Sequence, residues 1–220
     1  MNDRAPRLSP EDRRLSLVEA ATELIRATGA MPTTRAVAQA VGIAEGTVFR
    51  AFENKEALVE AVIGATVCPA PFRARIDAID PTLPLPERLA AGATLLMSRF
   101  ATIAEVVGPL GVMGQPVHHA HPHCPDPDAA VTGIGGRMSS LARLVEPDAH
   151  RLRFDVADVV QAVRMLAFAG SHAHLAEGAL SEPERIVDLV LHGSLVEPGR
   201  SGSPRTTDHR IDPDQGSTPC

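Results

Sequence analysis

The stretch that decides the fold is Thr33–Val62, "TTRAVAQAVGIAEGTVFRAFENKEALVEAV". Thr33 or Thr34 can cap a short helix carrying Val37, Ala38 and Val41, and Gly42 can end it. A second short helix runs from about Glu45 to Phe52. A third begins after Asn54, with Leu58, Val59, Val62 and Ile63 as its apolar face. Two short helices separated by "VGIA" form a helix-turn-helix, whose tight turn commonly holds a glycine.

Upstream, Ser9-Pro10-Glu11-Asp12 is a helix start: a capping serine, a proline suited to the first helical position, and acids that favour the dipole. Leu17, Ala20, Ala21, Leu24 and Ile25 continue it at helical spacing, and Gly29 stops it. Downstream, "CPAPFRARIDAIDPTLPLPE" is punctuated by proline and marks a boundary with one short helix. From Pro86 a long helix is predicted, because Leu85, Leu89, Gly92, Leu96, Phe100, Ile103 and Val107 fall at steps of three and four. Residues 129–145 and roughly 148–177 read as further helices, the second with a Val156, Val159, Val160, Val163, Ala167 stripe. Gly170 on that face costs about 1 kcal/mol against alanine. Ser181-Glu182-Pro183-Glu184 has the capping-box pattern and opens a last helix. Its Ile186, Val187, Leu189, Val190 and Leu191 are apolar on more than one side, so it needs two partners. From Glu197 onward Gly, Ser, Pro, Thr and charge predict a disordered tail.

The fold class is therefore all-α: a helix-turn-helix head over residues 1–65, a helical domain over 69–196, and a tail over 197–220. Composition agrees. Apolar residues make up 44% of the 220, with no Trp or Tyr and only 3% aromatics, so the core is built from aliphatic side chains. No run approaches the about 18 apolar residues of a membrane span, and the N-terminus has no apolar segment of signal type. Cys68, Cys124 and Cys220 form neither a CxxC pair nor a disulfide framework. The expected setting is the reducing cytoplasm, with no membrane contact. Net charge is −6, which is not the footprint of a protein that coats nucleic acid. Any DNA binding must come from a few cations placed locally.

Thr-Thr before the second helix, Ala-x-x-Val-Gly-Ile, Gly-Thr-Val-Phe-x-x-Phe and Asn-Lys-Glu-x-Leu together resemble the DNA-binding region of TetR-family transcriptional regulators, over Leu17 to about Val62. The resemblance implies an all-helical homodimer with a DNA-binding head and a divergent effector-binding and dimerisation domain. "LSEPERIVDLVLHGSL" is similar to the final helix that packs in many such dimer interfaces. In such heads the recognition helix enters the major groove by its N-terminal end. Gly46 would allow close approach. Thr47 would reach a phosphate or a thymine methyl, and Arg50 a phosphate or guanine. Arg35 resembles a base- or backbone-contacting position, and Thr34, Glu45, Phe49 and Asn54 are counted with it as DNA-binding candidates. Two residues depart from the family pattern. Phe49 stands where a tyrosine usually donates to a phosphate, and it cannot donate. Ala44 stands where a capping serine is common, a loss of about 1 kcal/mol. Phe52 reads as head core.

Of the 21 Lys+Arg residues, Lys55 is the only lysine. With Asn54 as cap it occupies the first position of its helix, where the dipole disfavours a cation by a few tenths of a kcal/mol. The position becomes favourable once a phosphate docks on the free N–H groups there, so Lys55 is read as a phosphate clamp.

The rest of the functional reading is broader. Met97, Phe100, Met113, Met165, Phe168 and His172 are candidates for an effector pocket, which would suit an apolar ligand. His174 continues the valine-stripe face and reads as a core or interface histidine. "HHAHPHC" offers His118, His119, His121, His123 and Cys124 as metal ligands. Adjacent ligands in a Pro-rich loop lack fixed spacing, so a solvated loop is the ordinary reading and no cofactor is expected. The sequence points to a ligand-responsive repressor that binds a palindromic double-stranded operator as a homodimer. The alternative is a metal or redox sensor using His118–Cys124. A helical enzyme is remote, since no GxSxG, P-loop, HExxH or Rossmann glycine pattern occurs.

Overall fold

The computed structural model describes residues 9–111, 139–172 and 179–192. Its first helix, α1 (Pro10–Thr28), starts where Ser9 Oγ accepts the Asp12 N–H at 3.0 Å and ends at Gly29, whose φ of 65° closes the last turn. α2 (Thr34–Val41) is capped by Thr33, which accepts the Ala36 N–H at 3.1 Å, and stops at Gly42 with φ 73°. α3 (Glu45–Ala51) follows after Gly42, Ile43 and Ala44. Ala44 has the extended backbone of a cap but no side chain to complete it. α4 (Lys55–Val67) is capped by Asn54, whose Oδ1 accepts the Ala57 N–H at 2.7 Å.

These helices bury one cluster. Leu17, Ala21 and Ile25 of α1 meet Val37 and Ala38 of α2, Val48 of α3, Phe52, and Leu58 and Val62 of α4. Arg14 ties α1 to the end of α3: its guanidinium donates to the Ala51 carbonyl at 2.6 Å and lies 4.1 Å over the Phe52 ring. A cation on terminal carbonyls and over an aromatic face is favoured on both counts.

The second cluster surrounds α6 (Leu85–Val107), which a 3₁₀ turn, Gly108–Leu110, extends. Against it pack α5 (Ala70–Asp77), α7 (Ser139–Val145), α8 (Val156–Gly170) and α9 (Pro183–His192). Leu89, Ala93 and Leu96 of α6 meet Leu141, Val160, Val163, Ala167 and Val187. Val106 belongs instead to the head cluster, so α6 runs through both.

Several boundaries differ from the sequence reading. The helix expected from residue 148 begins at Val156. Pro147 lies in a 3₁₀ turn, Glu146–Arg151, and Leu152 is extended with ψ 147°. Of the helix expected over 129–145, the described part starts at Ser139. The capping box is displaced: Ser181 falls in a 3₁₀ turn, Ala179–Ser181, and the Glu182 carbonyl accepts from Ile186 N at 3.2 Å. Cys68 is disulfide-bonded, where the spacing of the cysteines had suggested no disulfide framework. Two stretches, Lys55–Asp77 and Leu85–Leu110, are long and apolar enough to cross a membrane by length and composition, which the count of unbroken apolar runs had not indicated. The first is broken between α4 and α5 at Cys68-Pro69, and the second is the helix about which the others pack. Residues 197–220 and His174 lie outside the described residues.

Gly170 is explained by packing. A Cβ there would sit 2.3 Å from the Leu180 carbonyl oxygen, so the end of α8 can approach the next turn only with a hydrogen at that position. Arg88, 6% exposed, donates to the carbonyls of Leu144 (3.1 Å), Pro81 (3.1 Å) and Leu83 (2.7 Å) and pairs with Asp148 at 2.5 Å. Buried charges persist only with such complete partnering. Donation from Arg151 and then Arg88 holds the Asp148 carboxyl below its ordinary value of 3.8. The folded value is depressed, so the stabilisation is present above pH 3.8 and lost as pH falls through the folded value. Urea unfolding should show Asp148→Asn less stable than wild type by a constant margin from pH 7 to pH 5. That margin should shrink as pH falls below 3.8; a margin independent of pH would refute the linkage.

Candidate nucleic-acid interface and effector cleft

α3 buries Val48 and turns much of the rest of its surface outward. Gly46 and Arg50 are exposed and Thr47 is half-buried. Nothing lies within 4 Å of where a Gly46 Cβ would stand. The fold therefore does not require glycine there, and its backbone is open to an approaching surface. Phe49 is 51% exposed while Phe52 is 2% exposed. Phe52 is head core, as expected, and Phe49 presents an aromatic face on the recognition helix.

Arg35 and Lys55 are also exposed, and no ion pair or side-chain hydrogen bond restrains Arg35, Arg50 or Lys55 among the described residues. Two other candidates have structural work. The Thr34 hydroxyl donates to Glu45 Oε1 at 2.7 Å, joining the start of α2 to the start of α3. Asn54 spends its carbonyl oxygen as the α4 cap. Lys55 is the first residue of α4, so an exposed cation is carried in the first turn of a helix, whose N–H groups not taken by Asn54 suit phosphate oxygens.

The effector residues are less well anticipated. A small cleft of about 40 Å³ lies among α5, α6, α7 and α8. Phe100 of the expected set lines it, together with Phe72 and Ile103. Phe168, which does not line the cleft, packs edge-on against Phe100 at 5.3 Å and lies 4.6 Å from the His172 ring. Met165 is 53% exposed, so it projects from the outer side of α8. Met97 packs toward Gly170, and Met113 lies outside the described residues. So do His118, His119, His121, His123 and Cys124; among the described residues no group of His, Cys, Asp and Glu could hold a metal. Arg73, Arg99 and Arg164 also line the cleft and were missed. Arginine on a helix reads as solvated surface until the tertiary contacts are known.

The outward face of α3 and its flanking cations belong to a helix-turn-helix head. Residues 17–62 match the family model of the bacterial regulatory proteins, tetR family. Among solved structures, the chain is similar to a transcriptional regulator of the TetR/AcrR family from Thermobifida fusca. Identity is 19%, coverage is 84% of this chain and 100% of that one, and the TM-score is 0.56. It is also similar to a tetR-family regulatory protein from Rhodococcus (21% identity, 82% and 95% coverage, TM-score 0.53). A third likeness is to the fatty acid degradation regulator FadR from Bacillus halodurans (14%, 86% and 98%, 0.53). At these identities the structural likeness is one of fold; the matched head carries the family. Residues 17–62 are thus similar to the DNA-binding head of that family.

Gly46→Ala separates the fold from the interface. The added methyl meets no atom, and alanine gains up to about 0.5–1 kcal/mol of helix preference. The thermal midpoint should not fall, while DNA affinity drops at least tenfold because the methyl obstructs groove contact. Unchanged DNA affinity would remove Gly46 from the interface.

Proposed function

We propose that the chain is an effector-responsive repressor that binds a near-palindromic operator as a homodimer in the cytoplasm. Residues 1–65 form its DNA-binding head and 69–196 its effector and dimerisation domain. The observation that carries this is the open face of α3 with Gly46, Phe49 and Arg50, beside unrestrained Arg35 and Lys55. Homodimerisation is supported by apolar side chains left outside on two helices that pack together. Met165 of α8 is 53% exposed, Phe168 39% and Leu189 of α9 36%. Isolated apolar groups on a surface are ordinary, but three on neighbouring elements suit a partner of the same kind. Two heads would then read half-sites about one helical turn, ~34 Å, apart or slightly more.

In this reading Arg50 and Phe49 meet the groove, the phenyl ring giving apolar contact to a thymine methyl or a sugar, and Lys55 neutralises a phosphate. An effector that binds better to the arrangement unable to hold DNA lowers affinity by that difference. The test is selection of duplex DNA on purified protein, followed by affinity of the recovered sequence across salt. A palindromic site is expected. Each neutralised phosphate contributes about 0.9 to the log–log salt slope, so Lys55→Ala, two copies per dimer, should flatten it by about 2. Failure to enrich any sequence would sink the reading.

One observation favours a second reading. Cys68 is disulfide-bonded immediately beyond α4, the helix whose other end carries Lys55, so a redox-responsive regulator is supported too. Dithiothreitol, which cleaves the bond to two thiols, should then change operator affinity severalfold. Equal affinity before and after reduction discards it.

A further inference from the structure

We propose that Glu45 reads a cytosine in each half-site of the operator and that Thr34 positions it. One carboxylate oxygen is held by the Thr34 hydroxyl, and the other accepts from the cytosine N4 amino group. The proposal rests on the operator-binding reading above and specifies one base that the operator must carry.

Glu45 is the only acidic residue between Thr34 and Phe52. It is exposed, as are Arg35, Arg50 and Lys55 of the same head. A carboxylate repels phosphate, so Glu45 cannot make the backbone contacts that suit those cations. The one side-chain partner of Glu45 among the described residues is Thr34, the first residue of α2, whose hydroxyl donates to Oε1 at 2.7 Å. Oε2 has no partner among the described residues. Thr34 is half-buried, and its helix sends Val37 and Ala38 into the head core. The anchor is therefore fixed while the carboxylate it holds stays open. A glutamate side chain ordinarily loses rotamer freedom when it binds, and ordering it beforehand removes that cost.

The chemistry selects the base. An ionised carboxylate only accepts hydrogen bonds. In the major groove guanine shows two acceptors, and thymine an acceptor and a methyl group. Adenine has a donor beside N7, an acceptor that repels a carboxylate. Cytosine shows a donor with no acceptor next to it. The chain neighbours of Glu45 do not stand in the way: Ala44 carries only a methyl group, and nothing lies within 4 Å of where a Gly46 Cβ would be. An acid in the first turn of α3 also complements the helix dipole. That role by itself needs neither Thr34 nor a base, and its loss would lower stability while leaving base preference unchanged.

The experiment is selection of duplex DNA on the full-length protein, on Glu45→Gln and Glu45→Ala, and on Thr34→Val and Thr34→Ser, with circular dichroism checking that each is folded. Affinities for the recovered sequences are then measured at one salt concentration. Wild type should fix cytosine at one position of each half-site, and a T·A pair there should weaken binding at least tenfold. Glu45→Gln keeps an acceptor for Thr34 and gains an amide donor, so it should favour adenine at that position. Glu45→Ala should accept all four bases there within threefold. Every other position should stay as in wild type. Thr34→Val, which removes the hydroxyl, should cut the cytosine preference at least threefold, and Thr34→Ser should restore it. The salt slope of Thr34→Val should equal that of wild type, because no phosphate contact is lost. An enriched operator with the same bases for wild type, Glu45→Gln and Glu45→Ala overturns the cytosine contact and leaves the operator reading standing. Undiminished cytosine preference in Thr34→Val overturns the positioning role. Enrichment of no sequence by wild type overturns the operator reading and the contact with it.

Discussion

α6 is held in common by two hydrophobic clusters, and that sharing is the constraint on which the arrangement depends. Its first turns carry Leu89, Ala93 and Leu96 into the cluster with α7, α8 and α9, while Val106, near its other end, is fully buried against the head. A helix of 23 residues spans about 35 Å at 1.5 Å per residue, so one rigid element reaches from the cleft beside Phe100 to the helix-turn-helix head. Neither cluster can shift along α6 without opening a cavity in the other. Cavities cost tens of calories per Å³, so alternative packings are few and discrete, which is what a two-state regulator needs.

The polar groups along this axis lie where apolar packing ends. Arg99 sits at the end of α4 and Arg14 at the end of α3, each on backbone carbonyls left over by a terminating helix. Arg88 does the same for three loop and helix-end carbonyls with Asp148 as counter-charge. All three are arginines with planar, multiply donating heads. A lysine in place of Arg88 or Arg99 would match their spread of carbonyls less well, because its ammonium is a compact point charge rather than a fork. The chain's one lysine stands at the opposite kind of helix end, the N-terminus of α4, where a cation is out of place until an anion arrives. The contrast between Lys55 and the arginines follows the polarity of the helix ends they occupy.

The head shows how far local chemistry can be read. Ser9, Thr33 and Asn54 each accept a backbone N–H three residues on, as the capping pattern required, and Gly29 and Gly42 take the left-handed conformation that ends their helices. These signals act within four residues, so they survive in the sequence. Phe49 and Phe52 show the limit. Both are phenylalanines in one short helix or at its end, yet one is 51% exposed and the other 2%. The family pattern singled out Phe49, and burial of Phe52 against Arg14 and α1 settled the difference.

Sequence by itself determined the helices, the helix-turn-helix, the family resemblance and the oddity of Lys55, because periodicity, caps and short motifs are local. Tertiary structure alone decided which arginines leave the surface and which groups share a cleft. Arg73, Arg99 and Arg164 are separated by 26 and 65 positions, and no pattern along the chain brings them together. It also decided why Gly170 must be glycine, since the Leu180 carbonyl meets it across a turn. Such convergence arises from packing whole helices around α6, and the free energy of that packing belongs to pairs of elements rather than to any one segment.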